Sequence, residues 1–235
     1  MGKHGKYRAL VGVIALTASH AAAAPCRQAL AMGLDVSGSV DATEYRLQLD
    51  GLAAALDTRE VRDTLLSMQN APVQLTVYEW SAPGDQRILV PWTAITSEAV
   101  LTMVTRRLTA TSRVPLGPST AIGTSMAYGA NLLTRQQHCW KRTLDISGDG
   151  RSNTGPRPQD ARKLAIFAGI TVNALVIDNG GEARGDLNGY FTSLVIHGPD
   201  AFTEQADDFA AYERAMVRKL LRELQGLAVS EVVNP

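Results

Sequence analysis

Residues 29–39 read ALAMGLDVSGS and set the pattern for the rest of the chain. The apolar residues of 29–36 predict a buried strand, and the polar, glycine-containing SGSVD that follows predicts a turn. Residues 42–56 then place apolar side chains at intervals of three and four, which predicts a helix. A strand, a short turn and an amphipathic helix in this order are typical of a parallel α/β sheet.

The same alternation continues to the end of the chain. It predicts strands at 29–36, 73–80, 87–92, 142–146, 171–177 and 194–197, and helices at 42–56, 61–68, 97–108, 120–135, 158–168 and 203–224. The loop 81–85, SAPGD, suits a hairpin, and Pro91 suits an edge strand. We therefore expect one doubly wound α/β domain of about six strands, mostly parallel with one antiparallel edge strand and with helices on both faces.

The composition excludes several classes of protein. The 235 residues carry 23 Lys and Arg against 23 Asp and Glu, so no overall positive charge favours nucleic-acid binding. Two of the four histidines, His4 and His20, lie in the first twenty residues, and the other two are far apart in the sequence. This pattern argues against a zinc site built from histidines, so any metal site must use oxygen ligands.

The amino-terminal segment has the three parts of a secretory signal peptide. Lys3, Lys6 and Arg8 precede the apolar run 9–18, and the alanines at 21–24 provide small residues for cleavage. The apolar run is too short to span a membrane. We expect 1–23 to be removed and 24–235 to form the exported domain, periplasmic or secreted from a bacterium and without a stable membrane anchor. Removing three cations leaves 20 Lys and Arg against 23 Asp and Glu, a net charge of −3.

Three loops beside elements of the predicted sheet are rich in oxygen-bearing side chains. The first carries Asp35, Ser37 and Ser39, the second carries Thr120, and the third carries Asp149. The carboxyl ends of parallel strands meet at one edge of a sheet, where ligands bind. Two carboxylates and three hydroxyls suit a hard octahedral cation that keeps some water, so we predict that these five residues bind Mg²⁺ or Mn²⁺.

Each loop also has an ordinary structural interpretation. Ser39 or Asp41 can cap the following helix, Thr120 can cap the next one, and Asp149 with Gly150 can form a turn. Only the joint occurrence of the three loops, in this order and at these positions, favours the metal site.

These residues resemble the metal-ion-dependent adhesion site (MIDAS) of the von Willebrand factor A (vWA) domain family, in which an Asp-x-Ser-x-Ser loop, a Thr and an Asp lie on three loops. The order of elements is similar across 27–225, and the chain looks like an exported bacterial branch of the family without assigned functions. The resemblance implies that one metal position is open for an Asp or Glu carboxylate of a protein partner. Gly148 departs from the Thr that many relatives have before the Asp-Gly pair.

Three arginines lie beside the predicted metal loops. Arg113 precedes the second loop, while Arg151 and Arg157 follow the third. Together they predict a positive rim for an acidic partner, although any one of them alone is ordinary solvated surface.

Two other functional classes remain open. The same Asp, Ser and Thr residues can assist the hydrolysis of a phosphate ester if a bound metal activates water. The chain lacks an Asp-x-Asp nucleophile motif, a Gly-x-Ser-x-Gly elbow and a Walker loop, so the sequence gives an enzyme little support. A metal-free structural module is the third possibility.

The two cysteines lie at matching positions before two of these loops. Cys26 is nine residues before Asp35, and Cys139 is ten residues before Asp149. If both aspartates end neighbouring parallel strands, both cysteines lie at the opposite edge of the sheet at similar height. We therefore predict a disulfide, which export favours, with two free buried thiols as the alternative.

Overall fold

The first strand is buried along its whole length, as the apolar sequence of this region predicts. In the computed structural model, which describes residues 1–2, 24–178 and 186–225, this strand is β1, Cys26–Asp35. Nearly all of the predicted signal peptide lies outside the described residues.

Helices and strands alternate after β1. They are α1 (Ala42–Asp57), α2 (Arg59–Leu66), β2 (Val73–Trp80), β3 (Gln86–Ile95), α3 (Glu98–Thr109), α4 (Ile122–Leu133), β4 (Cys139–Gly148), α5 (Pro158–Ala161), β5 (Thr171–Ile177), α6 (Leu187–Tyr190), β6 (Thr203–Ala206) and α7 (Tyr212–Gln225). Short 3₁₀ turns lie at Thr134–Gln136 and Ala165–Phe167, and a π-helical turn, Phe191–Val195, continues α6. Of the helices described, none is both long and apolar enough to cross a bilayer.

The six strands form one sheet in the order β3-β2-β1-β4-β5-β6. At one edge β3 pairs antiparallel with β2, and the other strand pairs are parallel. Residues of α1, α2, α3 and α7 form the core on one face, and residues of α4 and α6 contribute to the core on the other. This confirms the predicted doubly wound α/β fold. The direction of winding reverses between β1 and β4, which is where such sheets bind ligands.

The end of the chain differs from the prediction. The last strand is β6 rather than 194–197. Phe191 and Val195 are four residues apart and both buried, so this apolar run forms a helical turn. The sequence of the edge strand β6, TEQA, has a single apolar residue, Ala206, which is also its only buried residue. The sequence therefore shows no alternation of apolar and polar residues that would predict a strand. The terminal helix begins at Tyr212, not at residue 203.

Two other predicted helices are shorter in the structure. The helix predicted at 120–135 begins at Ile122, because Thr120 belongs to the loop before it. The helix predicted at 158–168 ends at Ala161. Beyond it, a 3₁₀ turn brings Phe167 into the core and leaves Leu164 exposed.

Cys26 and Cys139 form the predicted disulfide. They are direct partners in the parallel register of β1 and β4, with their Cα atoms 4.4 Å apart at the amino ends of both strands. Each strand is ten residues long, so the bond lies about 30 Å from the carboxyl edge of the sheet. The prediction from the spacing of cysteines and aspartates is therefore confirmed.

A buried ionic cluster joins α7 to the centre of the sheet. Lys219 is fully buried and contacts the carboxylates of Asp145 on β4 and of Glu223, whose Oε1 lies 2.6 Å from Nζ. Asn173 donates to the same Glu223 oxygen at 2.6 Å. One ammonium cannot neutralise two carboxylates. Burial and repulsion from Glu223 therefore raise the pKa of Asp145 to about 7, although the contact with Lys219 opposes this shift.

The raised pKa of Asp145 predicts that stability falls as the pH rises. Between the ordinary value of 3.8 and about 7, the folded protein keeps a proton that the unfolded chain has released. The resulting stabilisation is complete below the unfolded-state pKa and is lost as the pH rises through the folded-state pKa. We expect Asp145→Asn to remove a slope of up to about 1.4 kcal/mol per pH unit from the free energy of unfolding. Urea titrations across this pH range measure it, and identical slopes in the two proteins would contradict the prediction.

Candidate metal site

The first loop begins where β1 ends. Asp35, the last residue of β1, is 1% exposed, and its Oδ1 accepts a hydrogen bond from the backbone N–H of Ser37 at 2.9 Å. Asp41, rather than Ser39, caps α1, because its side chain accepts from two backbone N–H groups of the first helical turn. The capping role is therefore filled by Asp41, and Ser39 contacts the third loop instead.

Thr120 also has a role other than helix capping. The cap of α4 is Ala121, which makes no side-chain hydrogen bond. The Thr120 hydroxyl instead donates to Ser37 Oγ at 3.1 Å. Asn153 of the third loop holds Thr120 through two hydrogen bonds of 2.9 Å: its N–H donates to the Thr120 carbonyl, and its Oδ1 accepts from the Thr120 N–H. The second loop is thus fixed to both the first and the third.

The third loop completes the cluster. Asp149 follows β4 and is 1% exposed, and its Oδ1 accepts from Ser39 Oγ at 2.7 Å, across 110 positions of the sequence. The hydroxyl oxygens of Ser37 and Ser39 lie 3.4 Å apart. The structure therefore brings all five predicted residues together at the carboxyl edge of β1 and β4.

The distances suit a small divalent cation. In an octahedron with metal–oxygen bonds of about 2.1 Å, neighbouring ligand atoms lie about 3 Å apart. The oxygen–oxygen distances in the cluster are 3.1 Å from Thr120 to Ser37, 3.4 Å from Ser37 to Ser39, and 2.7 Å from Ser39 to Asp149. Carboxylates and neutral hydroxyls are also the hard donors that Mg²⁺ and Mn²⁺ prefer. The residues thus fit the predicted metal.

Two residues that position the site are not in the predicted set. Asn153, which holds Thr120, is an exposed loop residue that no sequence pattern marks. Gln48 is fully buried, and its Nε2 donates to the backbone oxygen of Asp35 at 2.9 Å. A signal for Gln48 is present in the sequence, because it interrupts the apolar stripe of α1 between Tyr45 and Leu52.

The surroundings of Gly148 explain its departure from the family pattern. A Cβ atom at this position would lie 3.2 Å from the ring of Phe191 and 3.4 Å from Asp35 Oδ2. The fully buried Phe191 ring therefore occupies the space that a Thr side chain would need. The carboxylate of Asp149 is held by the hydroxyl of Ser39 instead.

Gly38 allows the first two loops to touch. Its N–H donates to the carbonyl of Pro118 at 2.9 Å, and an added Cβ would lie 2.9 Å from Pro118 Cβ. We expect Gly38→Ala to push Thr120 away from Ser37 and to weaken Mn²⁺ binding by about 10-fold or more, as measured by calorimetry. The control is Gly150→Ala, because a Cβ there would meet nothing within 4 Å. An equal loss in both variants would contradict this explanation.

The profile of a family described as a protein of unknown function, DUF1194, matches residues 25–228. The chain belongs to this family. No match was found among curated protein sequences.

Solved structures similar to this DUF1194 chain have the vWA fold. Proximal thread matrix protein 1 from the mussel byssus is 17% identical, with a TM-score of 0.60 over 87% of this chain and 49% of its own. The pilus adhesin SpaC from Lactobacillus rhamnosus GG is 14% identical, with a TM-score of 0.60, and the match covers 86% of this chain and 31% of SpaC. A von Willebrand factor type A protein from Catenulispora acidiphila is 13% identical, with a TM-score of 0.59, and the match covers 85% of this chain and 43% of that protein. The chain thus has the vWA fold and spans less than half the length of these three proteins.

The described histidines of the DUF1194 chain lie away from the candidate metal site. His138 precedes β4, and His197 pairs with Val172 near the start of β5, so both lie at the opposite edge of the sheet. His138 is close to Cys26 and Cys139, but both sulfurs are joined in the disulfide and are not available as metal ligands. Within the described ranges, no histidine is placed to act as a general base on a ligand of the metal site.

Proposed function

We propose that this chain is an exported binding module that uses a divalent cation, Mg²⁺ or Mn²⁺, to bind an Asp or Glu carboxylate of a protein partner. Five residues would hold the cation: Asp35, Ser37, Ser39, Thr120 and Asp149. The observation that carries the proposal is the convergence of three loops that are distant in the sequence. Side-chain oxygen atoms of four residues form one connected series, and the Asp35 carboxylate is held beside it by the Ser37 N–H; the four are Ser37, Ser39, Thr120 and Asp149.

The charge of the ligand set makes a carboxylate a suitable partner. Asp35 and Asp149 together balance the two charges of the cation, and the hydroxyls add none. A divalent cation in such a shell attracts an anionic oxygen that replaces a bound water. Both aspartates are nearly fully buried, so little solvent screens this attraction.

Two structural neighbours support the proposal by analogy. Proximal thread matrix protein 1 has also been solved with a zinc-occupied MIDAS motif at 16% identity to this chain, and SpaC is a pilus adhesin. At these identities the likeness extends to the fold, so the choice of metal and partner rests on the residues of this chain. Zinc most often takes nitrogen or sulfur ligands, whereas an all-oxygen set favours Mg²⁺ or Mn²⁺.

Export is supported by the disulfide and by the amino-terminal sequence. A bond such as that between Cys26 and Cys139 forms and persists in oxidising compartments, including the bacterial periplasm. The predicted signal peptide at 1–23 points to the same location.

Calorimetric titration with Mg²⁺ and Mn²⁺ tests the metal site. We expect one site in the wild type, and binding weaker by at least about 100-fold in Asp35→Ala and in Asp149→Ala, because each variant loses a charged ligand. The control is Asp63→Ala, since Asp63 is exposed on α2 and pairs with Arg59. Wild-type affinity in Asp35→Ala, or no metal binding by the wild type, would contradict the proposal.

A further inference from the structure

Two arginines beside the candidate metal site lie against tyrosine rings. The guanidinium carbon of Arg113 is 5.6 Å from the centre of the Tyr45 ring, and that of Arg151 is 5.1 Å from the centre of the Tyr190 ring. Each arginine also donates to a backbone oxygen at 3.3 Å: Arg113 donates to the carbonyl of Val36, and Arg151 donates to the carbonyl of Asp186, which caps α6. These contacts hold both guanidinium groups in defined positions.

The tyrosine rings are themselves fixed. The hydroxyl of Tyr45 donates to the buried carboxylate of Glu79 at 3.0 Å. The hydroxyl of Tyr190 accepts from the backbone N–H of Ser152 at 3.3 Å. Because the hydroxyl of each ring is already hydrogen-bonded, the two tyrosines do not lose further conformational freedom when a partner binds the arginines.

Neither of these two guanidinium groups is neutralised by a carboxylate of the described residues. Ring faces and carbonyl oxygens carry only partial negative charge, so Arg113 and Arg151 keep their positive charge. Arg157 differs, because its guanidinium pairs with Asp160 at 2.7 Å. The positive rim predicted from three arginines is therefore reduced to two.

The two arginines flank the metal loops on opposite sides. Arg113 binds the backbone of the first loop, and Arg151 is two positions after Asp149 in the third. Described acidic residues also lie at this edge, and several of their carboxylates already accept from backbone N–H groups: Asp41 and Glu44 at the start of α1, Asp186 before α6, and Asp85, which accepts from Gly117 at 2.8 Å. Arg113 and Arg151 thus place two guanidinium groups, neither paired with a carboxylate of the described residues, beside the metal loops.

We infer that the partner presents an acidic segment rather than a single carboxylate. One carboxylate completes the metal shell, and neighbouring carboxylates bind Arg113 and Arg151; this inference rests on the proposed function of the metal site. Guanidinium–carboxylate hydrogen bonds are charge-assisted, and groups already held in place lose little freedom on binding. An acidic segment therefore makes three favourable contacts, one with the cation and one with each arginine, whereas a lone Asp or Glu makes only the contact with the cation.

Peptide binding to the Mn²⁺-loaded protein tests this inference. The probes are two end-capped peptides, Gly-Glu-Glu-Glu-Gly and Gly-Gln-Glu-Gln-Gly. The binding of each peptide is measured by fluorescence anisotropy. We expect the first to bind at least about 10-fold more tightly, beyond the roughly threefold statistical advantage of its three carboxylates. Arg113→Gln and Arg151→Gln should each reduce this advantage by about 3-fold or more, and added salt should also reduce it. The matched control is Arg157→Gln, which should bind both peptides as the wild type does.

Several outcomes would overturn the inference while leaving the metal site intact. These are equal affinity for the two peptides, an advantage unchanged in both arginine variants, and no binding of either peptide despite bound Mn²⁺. An oligonucleotide of the same charge that binds as tightly would also overturn it, by showing general attraction of anions. If the proposed function itself is wrong, the result is different: the wild type shows no Mn²⁺ binding when it is titrated in the calorimeter in the absence of peptide.

Discussion

Replacing Cys26 and Cys139 together with alanine is expected to lower the free energy of unfolding by about 4–5 kcal/mol. The disulfide closes a loop across 113 positions, and a loop of this size removes roughly this much conformational freedom from the unfolded chain. Both side chains are buried, so lost packing adds to the effect. In a chain of this size each kcal/mol corresponds to about 2–4 °C, so the midpoint of thermal unfolding should fall by about 10–20 °C.

Urea unfolding of the oxidised wild type, the reduced wild type and the double variant measures this effect. The reduced wild type and the double variant should be similar to each other. The folded double variant should keep its Mn²⁺ affinity, because the disulfide lies at the edge of the sheet opposite the metal loops. A double variant within about 1 kcal/mol of the oxidised wild type would contradict the prediction.

Replacing Lys219 with methionine is expected to cost about 3–5 kcal/mol of stability near neutral pH. Methionine keeps most of the length of the side chain but leaves the carboxylates of Asp145 and Glu223 buried without the ammonium between them. Breaking a buried ion pair by removing one partner is costly because the remaining charge is uncompensated. The loss should be smaller at about pH 5 than at pH 8, because protonation of a carboxylate removes that charge.

Two further variants separate this explanation from a simple loss of packing. Adding Glu223→Gln to Lys219→Met removes one of the two buried charges and should recover part of the lost stability. Lys163→Met, which alters an exposed lysine that pairs with Asp160 at 3.6 Å, should cost less than about 1 kcal/mol. Equal losses in Lys219→Met and Lys163→Met would contradict the role assigned to the buried cluster.

The carboxyl edge of the sheet and the disulfide were predictable because their signals are local. The apolar run before Asp35 gives the strand, and the polar turn after it gives the first loop. Strands have a fixed rise per residue, so the similar spacings of nine residues from Cys26 to Asp35 and ten from Cys139 to Asp149 predicted their pairing.

Other features depend on contacts between segments distant in the sequence. Lys219 lies on an amphipathic helix where a lysine is normally solvated, and only the fold shows that it packs on the sheet in contact with Asp145 of β4. Asn153 positions Thr120 only because the third loop packs on the second. The edge strand β6 buries one side chain, so its pairing with β5, rather than an apolar pattern, defines it.

Crystallisation with Mn²⁺ and location of the metal by its anomalous scattering tests the central claim most directly. We predict one strong peak at the carboxyl edge of β1 and β4, about 2.0–2.6 Å from oxygen atoms of the first loop, with Thr120 and Asp149 bound directly or through one water. A strong peak elsewhere in the molecule, with only ordered water between Asp35, Ser37 and Asp149, would contradict it.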